Sequence, residues 1–250
     1  RMSTSMAKDP AKAQALMMRV WPAAVARVKE EVRDMGKIAR KMGVREAIKP
    51  WDYRFYMEKV RKARYALDQR EFKNYFVLEN MIKASYYMAA RLYGYAFEEI
   101  TGKVKGFHPD VRVYRVTNKA DGSHVGLLYR DDFARQYKRS GAWQATYRDQ
   151  QKVDGQVDAI VSNNNNFAKS APGKPTLISL DDAETLFHEF GHALHALTND
   201  TTYPTLSNTP RDFVEFPSQV HENWVLSRDV LDKFARHYKT GAPMPQKLID

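Results

Sequence analysis

His188, Glu189 and His192 stand in the order His-Glu-x-x-His. On a helix, positions i and i+4 lie one turn apart on the same face. Both imidazoles can therefore point at a single cation about 2 Å from their nitrogens. Glu189 is turned aside from that axis and can reach a water at the ion without being a ligand. The chemistry this permits is metal-assisted hydrolysis, with zinc as the ion and the carboxylate as general base. The bare pattern arises by chance in many helices, but its flanks sharpen it. Leu186, Phe187, Phe190, Ala193, Leu194 and Leu197 cover much of the helix with apolar side chains. The helix is therefore expected to be buried, and buried histidines beside a buried carboxylate need partners. A structural His/Glu cluster in a basic helical interaction protein is the competing reading.

A hydrolytic zinc needs a third protein ligand and an open fourth position. Glu215 is the candidate, one helix and one turn further along, in Arg211-Asp212-Phe213-Val214-Glu215-Phe216-Pro217-Ser218-Gln219. Asp212-x-x-Glu215 also fits a capping box, and a side chain capping its own helix cannot bind an ion. Glu222, spaced to share the Glu215 face, is the fallback ligand. His195 falls on nearly the face of His188 but about 10 Å along the axis, too far to share the ion. His195, Glu184, Gln219 and Glu222 are expected to support or line the site.

These residues need elements to position them. Apolar positions Leu16, Val20, Ala24, Val28, Val32 and Met35 predict a long amphipathic helix from about Pro10 to Arg40, closed by Gly43. Asp52 is the expected N-cap of a second helix to about Leu67, and a third is expected from about Leu78 to Phe97. The stripe of Tyr86, Tyr87, Met88, Tyr93 and Tyr95 is expected to be packing surface. After Gly106 the texture changes. Val111 to Val116 alternates with period two, Asp121-Gly122-Ser123 supplies a turn, and His124 to Arg130 reads as the return strand of a hairpin. Trp143–Arg148 and Val157–Ser162 are further strands, while Asn163 to Asn166 and Ala168 to Pro175 are expected to be loop. From Leu180 the helical period returns. The expected organisation is a helical part, 1–106, packed on a catalytic core, 107–250, as one continuous domain. Its class is mainly α with a small antiparallel-containing sheet.

With 250 residues, 43% of them hydrophobic, the chain can bury a core. It contains no uninterrupted apolar stretch of the roughly 20 residues that a membrane helix needs. There is no cysteine, which excludes disulfides, thiolate metal sites and cysteine nucleophiles. The formal charge of +10 is spread over helical segments such as Lys37–Lys41 and Val60–Arg64. It reads as solvated helix faces, not a nucleic-acid surface. Arg1 at the start and Leu248-Ile249-Asp250 at the end suggest a piece of a longer polypeptide, whose remainder would be a partner of this one.

The segments Phe187 to His195, Pro210 to Gln219 and Glu222-Asn223-Trp224 resemble the thimet oligopeptidase family. That family includes neurolysin, oligopeptidase A and the bacterial peptidyl-dipeptidases (dipeptidyl carboxypeptidases). Trp21 to Arg27, Pro50 to Tyr56, Lys62 to Tyr65 and Lys138 to Trp143 are similar to it as well, so the likeness runs through nearly the whole chain. It is nearest the bacterial peptidyl-dipeptidases. The resemblance implies a zincin-type fold truncated at both ends, with one Zn2+ held by His188, His192 and Glu215 and with Glu189 as base. It implies short peptides as substrates, with Ala159, Ile160, Val161 and Ser162 on an edge strand that pairs with them. A bacterial cytoplasmic setting, with the periplasm second, is the default expectation. Two departures stand out. Leu206 to Pro210 is shorter than the family's usual connection. The family's transition-state tyrosine and histidine lie further along than Asp250, so weak activity is expected of this chain alone.

Overall fold

The computed structural model describes residues 5–65 and 69–249. By contact the chain divides into two compact units, Arg1–Asp68 and Gln69–Asp250. In the first, α1 (Pro10–Lys41) and α2 (Tyr53–Tyr65) form a pair of helices. Asp9 caps α1 by accepting from the Lys12 amide at 2.9 Å, and Pro10 at the first position has no N–H left to satisfy. Met35 and Ala39 bury against Tyr56 of α2. The end expected for α2 at Leu67 lies outside the described residues.

The second unit comprises α3 (Gln69–Lys73), α4 (Leu78–Tyr93), β1 (Tyr95–Glu99), β2 (Arg112–Asn118), β3 (His124–Phe133), β4 (Trp143–Arg148), β5 (Ala159–Phe167), α5 (Leu180–Leu197), α6 (Glu215–Glu222) and α7 (Arg228–Phe234). The helix expected to reach Phe97 stops at Tyr93. Gly94 takes a left-handed C-cap with φ 72°, and Tyr95–Glu99 instead pairs antiparallel with β2. A strand therefore stands within the part expected to be nearly all helical.

The sheet runs β1-β2-β3-β5-β4, antiparallel except for the β3–β5 pair. The expected hairpin is present as β2–β3. The asparagine run is not a loop. Asn163 to Asn166 continue β5, with Asn163 and Asn164 paired to β3 on one side and to β4 on the other. Being interior, β5 is not the edge strand expected: Ile160, Val161 and Ser162 pair with β3 on one side and β4 on the other, and Ala159 pairs with Gly126 of β3. The free edge beside α5 belongs to β4.

Tyr114, Val116, Leu128, Ala159 and Val161 on one sheet face close a core with Phe190, Ala193, Leu194 and Leu197 of α5 and Ala89 of α4. Gly126 permits the approach: a Cβ there would lie 2.6 Å from the Ala159 carbonyl oxygen and 2.8 Å from Leu197. The start of α5 is fixed by a capping box. The Ser179 hydroxyl accepts from the Asp182 amide (3.1 Å), and the Asp182 carboxylate accepts from the Ser179 amide (2.9 Å). None of the described helices is long and apolar enough to cross a membrane.

Candidate metal centre

The apolar stripe of α5 lies on the sheet, which leaves His188 and His192 on the flank that faces α6. Their rings sit 4.9 Å apart, nearly perpendicular. From α6, one oxygen of Glu215 lies 3.2 Å from His188 Nε2 and 3.1 Å from His192 Nε2. The three side chains offer donor atoms that all lie within 4.8 Å of one another. Glu215 is the first residue of α6 and Val214 is its N-cap, so the capping-box alternative for Asp212 and Glu215 is not what forms. Burial, the largest influence on Glu215, works to raise its pKa. The Ser218 hydroxyl, which donates to the carboxylate at 2.9 Å, and the two imidazoles outweigh it and hold the carboxyl below its usual value.

Glycine at 191 sets the spacing between the helices. A Cβ there would come within 2.8 Å of the Ser218 Cα and 3.1 Å of His221 Nδ1. Helix α6 can reach the histidines only because α5 presents bare backbone at that point.

The other ring nitrogen of His188 is also fixed. Its Nδ1–H donates to Glu222 at 2.6 Å, so Nε2 is left as a lone-pair donor aimed at Glu215 and His192. The fallback ligand thus sits on the far side of the imidazole. Glu184 lines a cavity of about 430 Å³ with Asp181, His188, Glu189 and Glu222. Burial, Asp181 and Glu222 all push its carboxyl upward. His195 lines a second cavity, of about 320 Å³, with Gln144, Asp149 and His192. Gln219 is exposed on α6, its backbone carbonyl accepting from Asn223.

Glu189 is 6% exposed, and its Oε2 has no hydrogen-bond partner. Burial raises its pKa to about 7, with Glu215 adding to the shift and His188 and the Gln144 backbone amide opposing it. Glu189 is thus a buried carboxyl with one unpartnered oxygen, lining the same cavity as His188.

Residue types and spacing alone did not point to Ser218, His221 or Asn163. His221 is buried on α6; its Nδ1–H donates to the Pro217 carbonyl at 2.6 Å, and its Nε2 meets the Tyr93 hydroxyl at 3.1 Å. Asn163 reaches the main chain of Glu189. Such contacts depend on which elements come together, and local sequence carries no signal of them.

The profile of Peptidase family M3 matches residues 1–250. The chain is 39% identical to dipeptidyl carboxypeptidase of Escherichia coli over 251 residues, covering 99% of this chain and 36% of that protein. It is 33% identical to oligopeptidase A of Salmonella typhimurium over 255 residues, 100% and 37% of the respective lengths. At 30% identity over 211 residues it is similar to mitochondrial intermediate peptidase of Arabidopsis thaliana, covering 81% of this chain and 29% of that protein. The chain thus spans little more than a third of the first two relatives. A match along its whole length, with the His-Glu-x-x-His helix and the Glu215 helix brought together, places the chain in Peptidase family M3.

Proposed function

We propose that this chain carries the metal-holding part of a zinc peptidase that cleaves short peptides. The observation that supports this most is the convergence of His188 Nε2, His192 Nε2 and Glu215 Oε2 beside Glu189, whose Oε2 is unpartnered. Two imidazoles and one carboxylate are a donor set suited to zinc with a position left for water. The fixed tautomer of His188 and the Ser218 contact to Glu215 fit the same role.

Zinc, when held there, lowers the pKa of water and polarises a carbonyl oxygen. The chain's own residues do the rest. Glu189, with a pKa near 7 and no competing donor on Oε2, takes the proton of the attacking water. It then hands that proton to the leaving amine. Glu222 holds the His188 ring, and Ser218 holds the Glu215 carboxylate, through each turnover. The free edge of β4 beside α5 is where an extended peptide would add as a strand, the role first assigned to Ala159–Ser162 on β5.

Dipeptide release is the preferred outcome, since the chain is 39% identical to a dipeptidyl carboxypeptidase and 33% to an oligopeptidase A. The setting proposed is the bacterial cytoplasm, with the periplasm second. Residues beyond this chain complete the site, and the 250-residue piece alone binds zinc but turns over slowly. Removing one transition-state donor typically costs about 100- to 1000-fold in rate. The test is metal analysis of the purified chain together with Glu189→Gln in the full-length protein. About one zinc per chain, with hydrolysis abolished by the substitution, is expected. Absence of zinc, or hydrolysis that survives Glu189→Gln, overturns the proposal.

A further inference from the structure

The asparagine run is unabsorbed by the site as described, yet each of its side chains is engaged. Asn164 donates to the Trp143 carbonyl (3.1 Å) and Asn166 to the Arg139 and Gly141 carbonyls (2.7 Å each), which holds the approach to β4. On the opposite face of β5, Asn165 donates to Asp132 at 2.9 Å. Asn163, on that same face and 1% exposed, donates through Nδ2 to the backbone carbonyl of Glu189 at 2.6 Å. The orientation of the Asn163 amide is forced, because a carbonyl can only accept.

Within α5 the Glu189 carbonyl already has the amide of Ala193 in helical register to satisfy it. The Asn163 contact is therefore a second donor, made across the sheet–helix interface, at the one residue whose carboxylate must meet the reacting water. It is a short bond in a dry environment, where such bonds are strong and costly to leave unmade. Asn163 also pairs in register with Gln144 of β4, whose backbone amide acts on the Glu189 carboxylate. One cross-strand pair thus touches Glu189 twice, through the Asn163 side chain and the Gln144 backbone. On its other flank α5 is stopped by the Gly191 contact with α6.

We infer that Asn163 is a positioning residue, fixing the height of Glu189 relative to the β4 edge. This rests on Glu189 being the base. It makes the interior strand β5, and not only the two ligand helices, part of the machinery that sets the rate.

The experiment compares Asn163→Ala and Asn165→Ala in the full-length protein. Both truncate a buried asparagine on one face of β5, but only the first touches Glu189. Asn163→Ala is expected to lower kcat about 10- to 100-fold, the scale of a small misplacement of a reacting group. KM and zinc content should stay within about twofold, and Asn165→Ala should keep kcat. If Asn163→Ala does not fold, Asn163→Asp preserves the shape but loses the donor, and the same drop is expected. An unchanged kcat, or an equal drop in both alanine variants, overturns the inference. A readout independent of turnover is the Asn163 side-chain amide by NMR in this chain, whose protons should exchange slowly. Slow exchange with no peptide hydrolysis by the unaltered full-length protein would sink the functional reading and leave the contact standing. Rapid exchange would sink the contact itself.

Discussion

The Glu222 carboxylate accepts a hydrogen bond from His188 Nδ1 at 2.6 Å, while Nε2 of the same ring lies 3.2 Å from Glu215. One imidazole is thus gripped by two carboxylates of α6, and the two have different tasks. The inner one shares the donor cluster with His192. The outer one fixes ring orientation and tautomer.

Glu222→Ala should accordingly weaken zinc about 10- to 100-fold while leaving the fold in place. Competition with a chelator, read as the free-zinc concentration at half occupancy, measures this. Affinity equal to that of the unaltered chain would remove Glu222 from its supporting role.

Glu189→Gln keeps the shape of the side chain and removes its basicity. Zinc stoichiometry should be unchanged, and peptide hydrolysis by the full-length protein should fall by at least about 100-fold, the lower end of what a general base contributes. Because the replaced carboxylate is buried with Oε2 unpartnered, the variant should also be no less stable than the parent in urea.

Gly191→Ala tests the helix contact. The added methyl would sit 2.8 Å from the Ser218 Cα and 3.0 Å from the Pro217 carbonyl oxygen, both backbone, so α6 must move. Overpacking of this kind costs about 1 to 3 kcal/mol. Because α6 carries Glu215, zinc affinity should fall together with thermal stability. A stable variant with unaltered zinc affinity would show that α6 has room to spare.

His221 sets an acid limit. Burial depresses its pKa below 6.5, while the Pro217 carbonyl works weakly the other way. The unfolded chain therefore binds this proton more readily than the folded one does. The associated stability is complete above about pH 6.5, and it declines as pH falls from there toward the depressed folded value. Between pH 7.5 and pH 5 the urea midpoint of the metal-free chain should fall relative to that of His221→Asn, because Glu189, whose raised pKa favours the folded state in acid, acts in both proteins alike. A midpoint difference equal in both proteins would place the acid sensitivity elsewhere.

Much of the site was legible in the order of residues, because helices convert spacing directly into geometry. A four-residue interval fixes His188 and His192 on one flank whatever else happens, and the apolar residues around them, from Leu186 to Leu197, fix which flank is buried. Glu215 could be nominated from its distance along the chain and its surroundings, and the β2–β3 hairpin from its alternation and its turn. The asparagine run could not be placed in that way. Four amides in a row have poor strand preference, and they become strand only because β3 and β4, distant in sequence, pair with their backbone and because their side chains find carbonyls. For the same reason the free edge went to β4 and not to Ala159–Ser162: an edge is defined by which neighbour is missing, and local sequence does not record neighbours. Likewise, the need for glycine at 191 and the partnership of Glu222 with His188 exist only once α6 lies on α5. The chain's order thus determined which groups could do chemistry; pairing and packing across the fold decided which of them are held in place, and by what.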